Sequence, residues 1–283
     1  MPTLRTPGPR QRQRSSVRVD ADAIRRTRQR FEELETATDR ELQLRALDLK
    51  NAIRQQETKQ PTTSRRDSNR FTSETSRLID CFALTMQASR RTLGMAHYDV
   101  QIAGGLVMAR DMTAEMQTGE GKTLTSTLPA VLAGMQGQGI HVCTVNAYLC
   151  KRDFQQMQPV FDFLGLTSGL ITTRDDRNSK RAAYQCDITY STGYDVGFDF
   201  LRDRAISRTT RHLSPGVRFR NRLRGMPETE EAVQHNRHKA LIDEIDSVLI
   251  DEATTPLVIS GNDSLPTDEL VYRLAESIAS QLK

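Results

Sequence analysis

Hydrophobic positions recur at two different spacings along this chain. Between residues 20 and 57, Ile24, Phe31, Leu34, Leu42, Leu44, Leu47 and Leu49 form an imperfect apolar stripe in a strongly charged background, the period of an amphipathic helix. Residues 58–70 are rich in Thr, Ser and Arg, include Pro61, and read as a linker. A second helix is predicted over residues 73–93, stopped by Gly94. Further on, short apolar runs alternate with helical stretches. Strands are predicted at 113–116, 140–145, 170–172, 187–191 and 240–243. Helices are predicted at 122–136, bent by Pro129, and at 147–164, where Leu149, Phe154, Met157, Val160, Phe161 and Leu164 face inward. Strands alternating with helices imply parallel pairing through right-handed crossovers. The predicted fold class is therefore α/β: an open, mostly parallel sheet of the RecA type flanked by helices, with an N-terminal helical extension.

Charge divides the chain unevenly. The net charge of +4 arises entirely in the first seventy residues, which carry seventeen Lys and Arg against ten Asp and Glu; the remainder carries twenty-three against twenty-six. Residues 1–18 hold five arginines, three prolines and no acid, the composition of a disordered basic tail that solvent or an anionic lipid surface would accept. A second basic stretch, residues 207–227, holds six arginines and no acid and reads, with the polar residues 226–239, as a loop insertion. No apolar stretch has the length of a signal peptide or a membrane span, so the expected location is the cytosol. The four cysteines are far apart and contain no CxxC pair, which argues against a zinc site; Cys143 and Cys186 fall in apolar runs and are expected in the core. His235 and His238 sit in a polar stretch that reads as a solvated loop.

Two motifs carry the candidate chemistry. The first, MQTGEGKT at residues 116–123, enters a helix. Gly119 and Gly121 let backbone N–H groups approach a phosphate closely, and the helix N-terminus adds a favourable dipole. Lys122 can reach the β- and γ-phosphates, and the Thr123 hydroxyl can ligate Mg2+. The strict phosphate-loop pattern has a glycine where this chain has Met116. The second motif, Asp243-Glu244, follows an apolar strand and places two carboxylates at its C-terminal end, where ligands of parallel sheets collect. Asp243 would hold Mg2+, Glu244 would act as general base towards an attacking water, and Asp246 would support them by hydrogen bonding. The order of the two motifs points to a P-loop NTPase.

Around these residues the sequence resembles one family densely. MQTGEGKTLTSTLPAVLAG, HVCTVNAYLCKRDF, FDFLGLTSGL, CDITYSTGYDVGFDFLRD and KALIDEIDSVLIDEATTPLVISG, with GMAHYDVQIAGG at 94–105, are similar to the first nucleotide-binding domain of SecA, the ATPase motor of bacterial protein export. The resemblance spans about residues 71–261. It implies ATP and Mg2+ as ligands, with Gln101 reading the adenine edge and Met95 and Tyr98 packing near the base. By the same resemblance Thr118, Gly119, Glu120, Gly121, Lys122 and Thr123 form the phosphate loop, Asp243 is the magnesium aspartate and Glu244 the catalytic glutamate. Thr254 and Ala147 stand where the family usually has an arginine and an aspartate.

Composition and periodicity give a basic tail over 1–19 and a helical extension and linker over 20–70; the resemblance implies the motor domain over 71–261, with its basic insertion, and the start of a further region over 262–283 that includes a helix at 268–281. Typical members are much longer, and in them ATP sits between two RecA-like domains. The implied partners are a preprotein, a SecYEG-type channel, a second RecA-like domain and anionic lipid, at the cytoplasmic face of the inner membrane; nucleic acid is not among them. Two alternatives stay open on the residues alone: a nucleic-acid-stimulated helicase-like ATPase, for which the basic segments argue, and a truncated, non-catalytic ATP-binding module.

Overall fold

A computed structural model describes residues 20–58, 68–211, 232–234 and 238–258. The expected basic tail, most of the linker and of the Arg-rich insertion, and the helix at 268–281 lie outside the described residues, as does His235.

The stretch expected as one helix from 20 to 57 is two: α1, Ala21–Glu33, and α2, Asp39–Thr58. Asp20 caps α1 by accepting from the N–H groups of Asp22 and Ala23. The break has a local cause. The Thr38 hydroxyl accepts from the Glu41 N–H (3.3 Å), and the Glu41 carboxylate accepts from the Thr38 N–H (2.8 Å), a reciprocal pair that starts a new helix. The restart shifts the phase of the apolar stripe. Helix α2 buries Leu42, Ala46 and Ile53, whereas Leu44 and Leu47 are half exposed. Helix α3, Ser68–Leu93, begins five residues earlier than expected and is buried on every side from Cys81 to Ser89. Gly94, in the left-handed region at φ 70°, ends it as expected.

Helix α4, Asp99–Met108, was not foreseen. Helix α5, Lys122–Gln136, coincides with expectation because Gly121 and Gly137, both left-handed, bound it. The remaining elements are β1 (Ile140–Thr144), α6 (Ala147–Phe163), β2 (Ser168–Leu170), α7 (Arg177–Tyr184), β3 (Ile188–Thr192), α8 (Gly193–Arg211) and β4 (Lys239–Ile242), followed by short helical turns at Ser247–Asp251 and Glu252–Thr254. Helix α8 reaches Arg211, so the first residues assigned to the loop insertion are helical.

The four strands form a parallel sheet in the order β2-β3-β1-β4. Ile140 pairs with Ile188 on one side and with Lys239 on the other. Strands β1 and β3 are buried at every position, as sheets covered on both faces require. The strand expected at 113–116 is not part of this sheet. Its residues face β4 across a cavity, without a neighbouring strand among the described residues to accept their backbone hydrogen bonds.

One apolar core runs from the N-terminal helices to the sheet and includes Phe31, Leu42, Phe82, Leu128, Phe161 and Tyr190. Asp187 fastens the helical extension to the sheet. Its carboxylate accepts from Lys50 (3.1 Å), Arg54 (2.7 Å) and the Thr167 N–H (3.0 Å). Cys143 is buried as expected, but Cys186 is only half-buried, because it lies in the turn before β3. No helix among the described residues is long and apolar enough to cross a membrane.

Candidate functional site

The phosphate-loop candidate is a tight turn that delivers the chain into α5. Gly119 and Gly121 have φ of 90° and 77°, values that ordinary side chains adopt only with strain. The Glu120 N–H donates to the Gln117 carbonyl (3.3 Å), and the Glu120 carboxylate accepts from the Gln117 N–H (2.8 Å). No protein group among the described residues accepts from the N–H of Lys122, Thr123 or Leu124, the orphan donors of the first helical turn.

The second motif lies at the C-terminal end of β4. The Asp243 N–H continues the ladder to the Cys143 carbonyl (2.9 Å), and the Asp243 carboxylate accepts from the Glu244 N–H (3.0 Å). Glu244 then turns into the left-handed region at φ 51°. Such a conformation costs on the order of 1–3 kcal/mol in a residue with a side chain, and it is characteristic of functional sites. The turn directs the chain away from the sheet; the Glu244 carbonyl accepts from the Val248 N–H (3.1 Å).

A cavity of about 690 Å³ joins the motifs. Lys122, Thr123, Asp243, Glu244 and Asp246 line it, together with apolar residues of β1, β4, α5 and the 112–116 segment. The pair of motifs, about 120 residues apart in sequence, is thus brought to one opening at the carboxyl end of the sheet. The oxygen donors available there, the Thr123 hydroxyl and the Asp243 carboxylate, are of the hard type that Mg2+ takes. Met95, Tyr98, Gln101, Thr118, Gly119, Glu120 and Gly121 do not line this cavity.

Gln101 has protein partners at both ends of its amide. Its oxygen accepts from the Tyr98 N–H (2.8 Å) at the start of α4, and its nitrogen donates to the Glu120 carbonyl (2.8 Å). It is buried, while Met95 and Tyr98 beside it are 36% and 73% exposed. Gln101 therefore braces the phosphate loop from behind.

Asp153 was missed by sequence reasoning. This α6 residue is buried, lines the cavity, and forms an ion pair with the Arg152 guanidinium (2.7 Å). Burial pushes its carboxyl above the ordinary range; Arg152 opposes the rise, and the charge of Asp243 adds to it. The available signal was its position. Asp153 lies four residues after Leu149 and four before Met157, on the face assigned inward, where an acid needs a reason.

A parallel sheet whose helix α5 begins in a glycine loop, beside a strand ending in paired carboxylates, defines a RecA-like α/β domain of the P-loop class. The model of the SecA DEAD-like domain matches residues 7–283, and the chain belongs to that family. It is 44% identical over 201 residues to the protein translocase subunit SecA of Syntrophomonas wolfei, covering 71% of this chain and 22% of that protein. The SecA of Synechocystis is 38% identical over 257 residues (89% and 24%), and that of Nitratiruptor 45% over 208 residues (73% and 21%). The chain thus spans less than a quarter of the length of these relatives. Within this family, neither the helicase-like ATPase nor the non-catalytic module is favoured.

Proposed function

We propose that this chain is the ATP-binding half of a SecA-type motor, and that it binds ATP·Mg2+ at the opening shared by Lys122, Thr123, Asp243 and Glu244. The observation that carries the reading is the cavity that gathers the lysine, the hydroxyl and both carboxylates at the carboxyl end of the sheet. Lys122 neutralises phosphate charge, and the N–H groups of the loop and first turn of α5 donate to phosphate oxygens. Thr123 and Asp243 would hold the metal, which would supply positive charge towards the phosphates. Glu244, at the left-handed turn that ends the strand, polarises water. Gln101, with Met95 and Tyr98, faces the base.

Hydrolysis in this class draws on a cation from a second domain, whose loss typically lowers the rate by 10³ or more. Residues 1–283, tested apart from any second domain, should therefore bind nucleotide and turn it over very slowly. Preprotein transport through a SecYEG-type channel, attachment to anionic lipid at the inner membrane, and a second RecA-like domain belong to the same proposal. The transport role rests on the relatives being named translocase subunits, and the channel, lipid and second domain on the family resemblance of the sequence. Isothermal titration of ATP into the wild type and Lys122→Ala tests the site. Binding should disappear in the variant. Undiminished affinity would mean that the nucleotide sits elsewhere.

A further inference from the structure

Glu120 is the only acid in the loop sequence MQTGEGKT, and it sits between the two glycines. Its carboxylate accepts the N–H of Gln117 at 2.8 Å while its own N–H returns to the Gln117 carbonyl at 3.3 Å, so the loop is closed by a small ring. The ring is anchored on one side only. The Glu120 carbonyl is held by the Gln101 amide at 2.8 Å, and a Cβ on Gly121 would come within 2.3 Å of that amide nitrogen. Residues 120 and 121 are therefore fixed against α4. The other side is unobstructed: a Cβ on Gly119 would meet nothing within 4 Å, and residues 117–119 are exposed.

We propose that Glu120 is a latch on the phosphate loop and a determinant of its affinity for polyphosphate. The proposal deepens the ATP-binding reading above and rests on it. The carboxylate occupies one of the loop N–H groups that a phosphate oxygen would take, so an arriving polyphosphate displaces it. Residues 117–119 swing about Gly119, while Gln101 keeps residue 120 in place. After displacement the carboxylate still lies beside the phosphates, and its repulsion grows with their charge. Glu120 thus holds down affinity for triphosphate more than for diphosphate, and leaves the nucleoside unaffected. A unit repulsion across several ångströms of partly screened surroundings amounts to about a three- to tenfold change in affinity.

The test is calorimetric titration of the full chain, wild type, Glu120→Gln and Glu120→Ala, with inorganic tripolyphosphate, ATP, ADP and adenosine. Thermal unfolding of each variant checks that it folds. The glutamine removes the charge but keeps an acceptor for Gln117; the alanine removes both. Tripolyphosphate and ATP should bind both variants about three- to tenfold more tightly than the wild type, ADP less so, and adenosine without change. The gain should shrink in 0.5 M salt, since salt at roughly that concentration screens exposed charges. A looser loop without electrostatic relief would not produce this charge order. Equal or weaker ATP binding by both variants overturns the latch. If Lys122→Ala abolishes binding while neither Glu120 variant gains, the latch alone fails. If the wild type binds none of the phosphates, the ATP reading fails and the latch with it.

Discussion

Removing Asp199 should destabilise the protein severely, while removing it together with Lys180 should not. Asp199 lies in α8, in the family-like stretch FDFLRD, and its carboxylate accepts from the Lys180 ammonium at 2.9 and 3.0 Å. The two side chains are 3% and 5% exposed, so neither charge is solvated. The Tyr184 hydroxyl (3.2 Å) and the half-exposed Arg202 (3.2 Å) complete the set. Gln234 continues the network, donating to the Tyr184 hydroxyl (3.2 Å) and to the Val196 carbonyl (2.7 Å). The Asp199→Ala variant leaves the Lys180 ammonium buried without a counter-charge, which costs about 3–5 kcal/mol. That is a large part of a typical stability of about 5–15 kcal/mol. In Lys180→Met with Asp199→Leu no charge is stranded, and the remaining loss is one acceptor for Tyr184, about 1–2 kcal/mol. Urea unfolding followed by circular dichroism, at constant m, measures both. The reasoning is refuted if Asp199→Ala costs under 1 kcal/mol, or if the double variant is no more stable than Asp199→Ala.

Two further predictions concern the packing behind the site. His97 is buried with Nε2 2.9 Å from the Leu124 carbonyl, and burial depresses its pKa from 6.5 to about 4. The folded state therefore prefers neutral imidazole, and its contribution, at most roughly 3 kcal/mol, is present above pH 6.5 and lost as the pH falls through 4. The urea midpoint of the wild type should fall relative to His97→Gln over that window, and parallel pH profiles would disprove this. Gly105 lies where α4 crosses α5, and a Cβ there would come within 2.7 Å of Leu128 Cδ1 and 3.0 Å of its Cβ. Gly105→Ala should lose about 1–2 kcal/mol, overpacking outweighing the gain in helix propensity. A urea midpoint equal to that of the wild type would show that the helices separate freely.

Elements with local stop signals were legible from the sequence. Helix α5 matches because a left-handed glycine stands at each end, and the parallel order follows from alternating strands and helices. The break between α1 and α2 was also written locally, in Thr38 and Glu41, but the leucines on both sides suggested one continuous stripe. Within α2 itself Leu44 and Leu47 point about 200° and 140° away from Leu42, so they cannot share its face, and the small Ala46 and Ile53 take the inward places. The segment at 113–116 failed for a different reason. A strand exists only through its neighbours, and the residues before the glycine loop have none beside them in the described sheet.

The site divides along the same line. The geometry of the glycine loop was readable because it depends on backbone: glycines where φ must be positive, and a helix N-terminus immediately after them. The base half depends on side chains from elements distant in sequence, and Gln101 illustrates the difficulty. Its resemblance to an adenine-reading glutamine gives a ligand, yet the amide already bonds the Tyr98 N–H and the Glu120 carbonyl. The two assignments are compatible. A glutamine amide has two acceptor lone pairs and two donor hydrogens, and the second hydrogen has only the Gly121 carbonyl, at 3.5 Å. One lone pair and one weakly engaged hydrogen remain, the donor–acceptor pair that an adenine edge requires. The base-reading role proposed for Gln101 is therefore compatible, by the number of bonds an amide makes, with its bracing of the loop, and that bracing was conveyed by no pattern in the sequence.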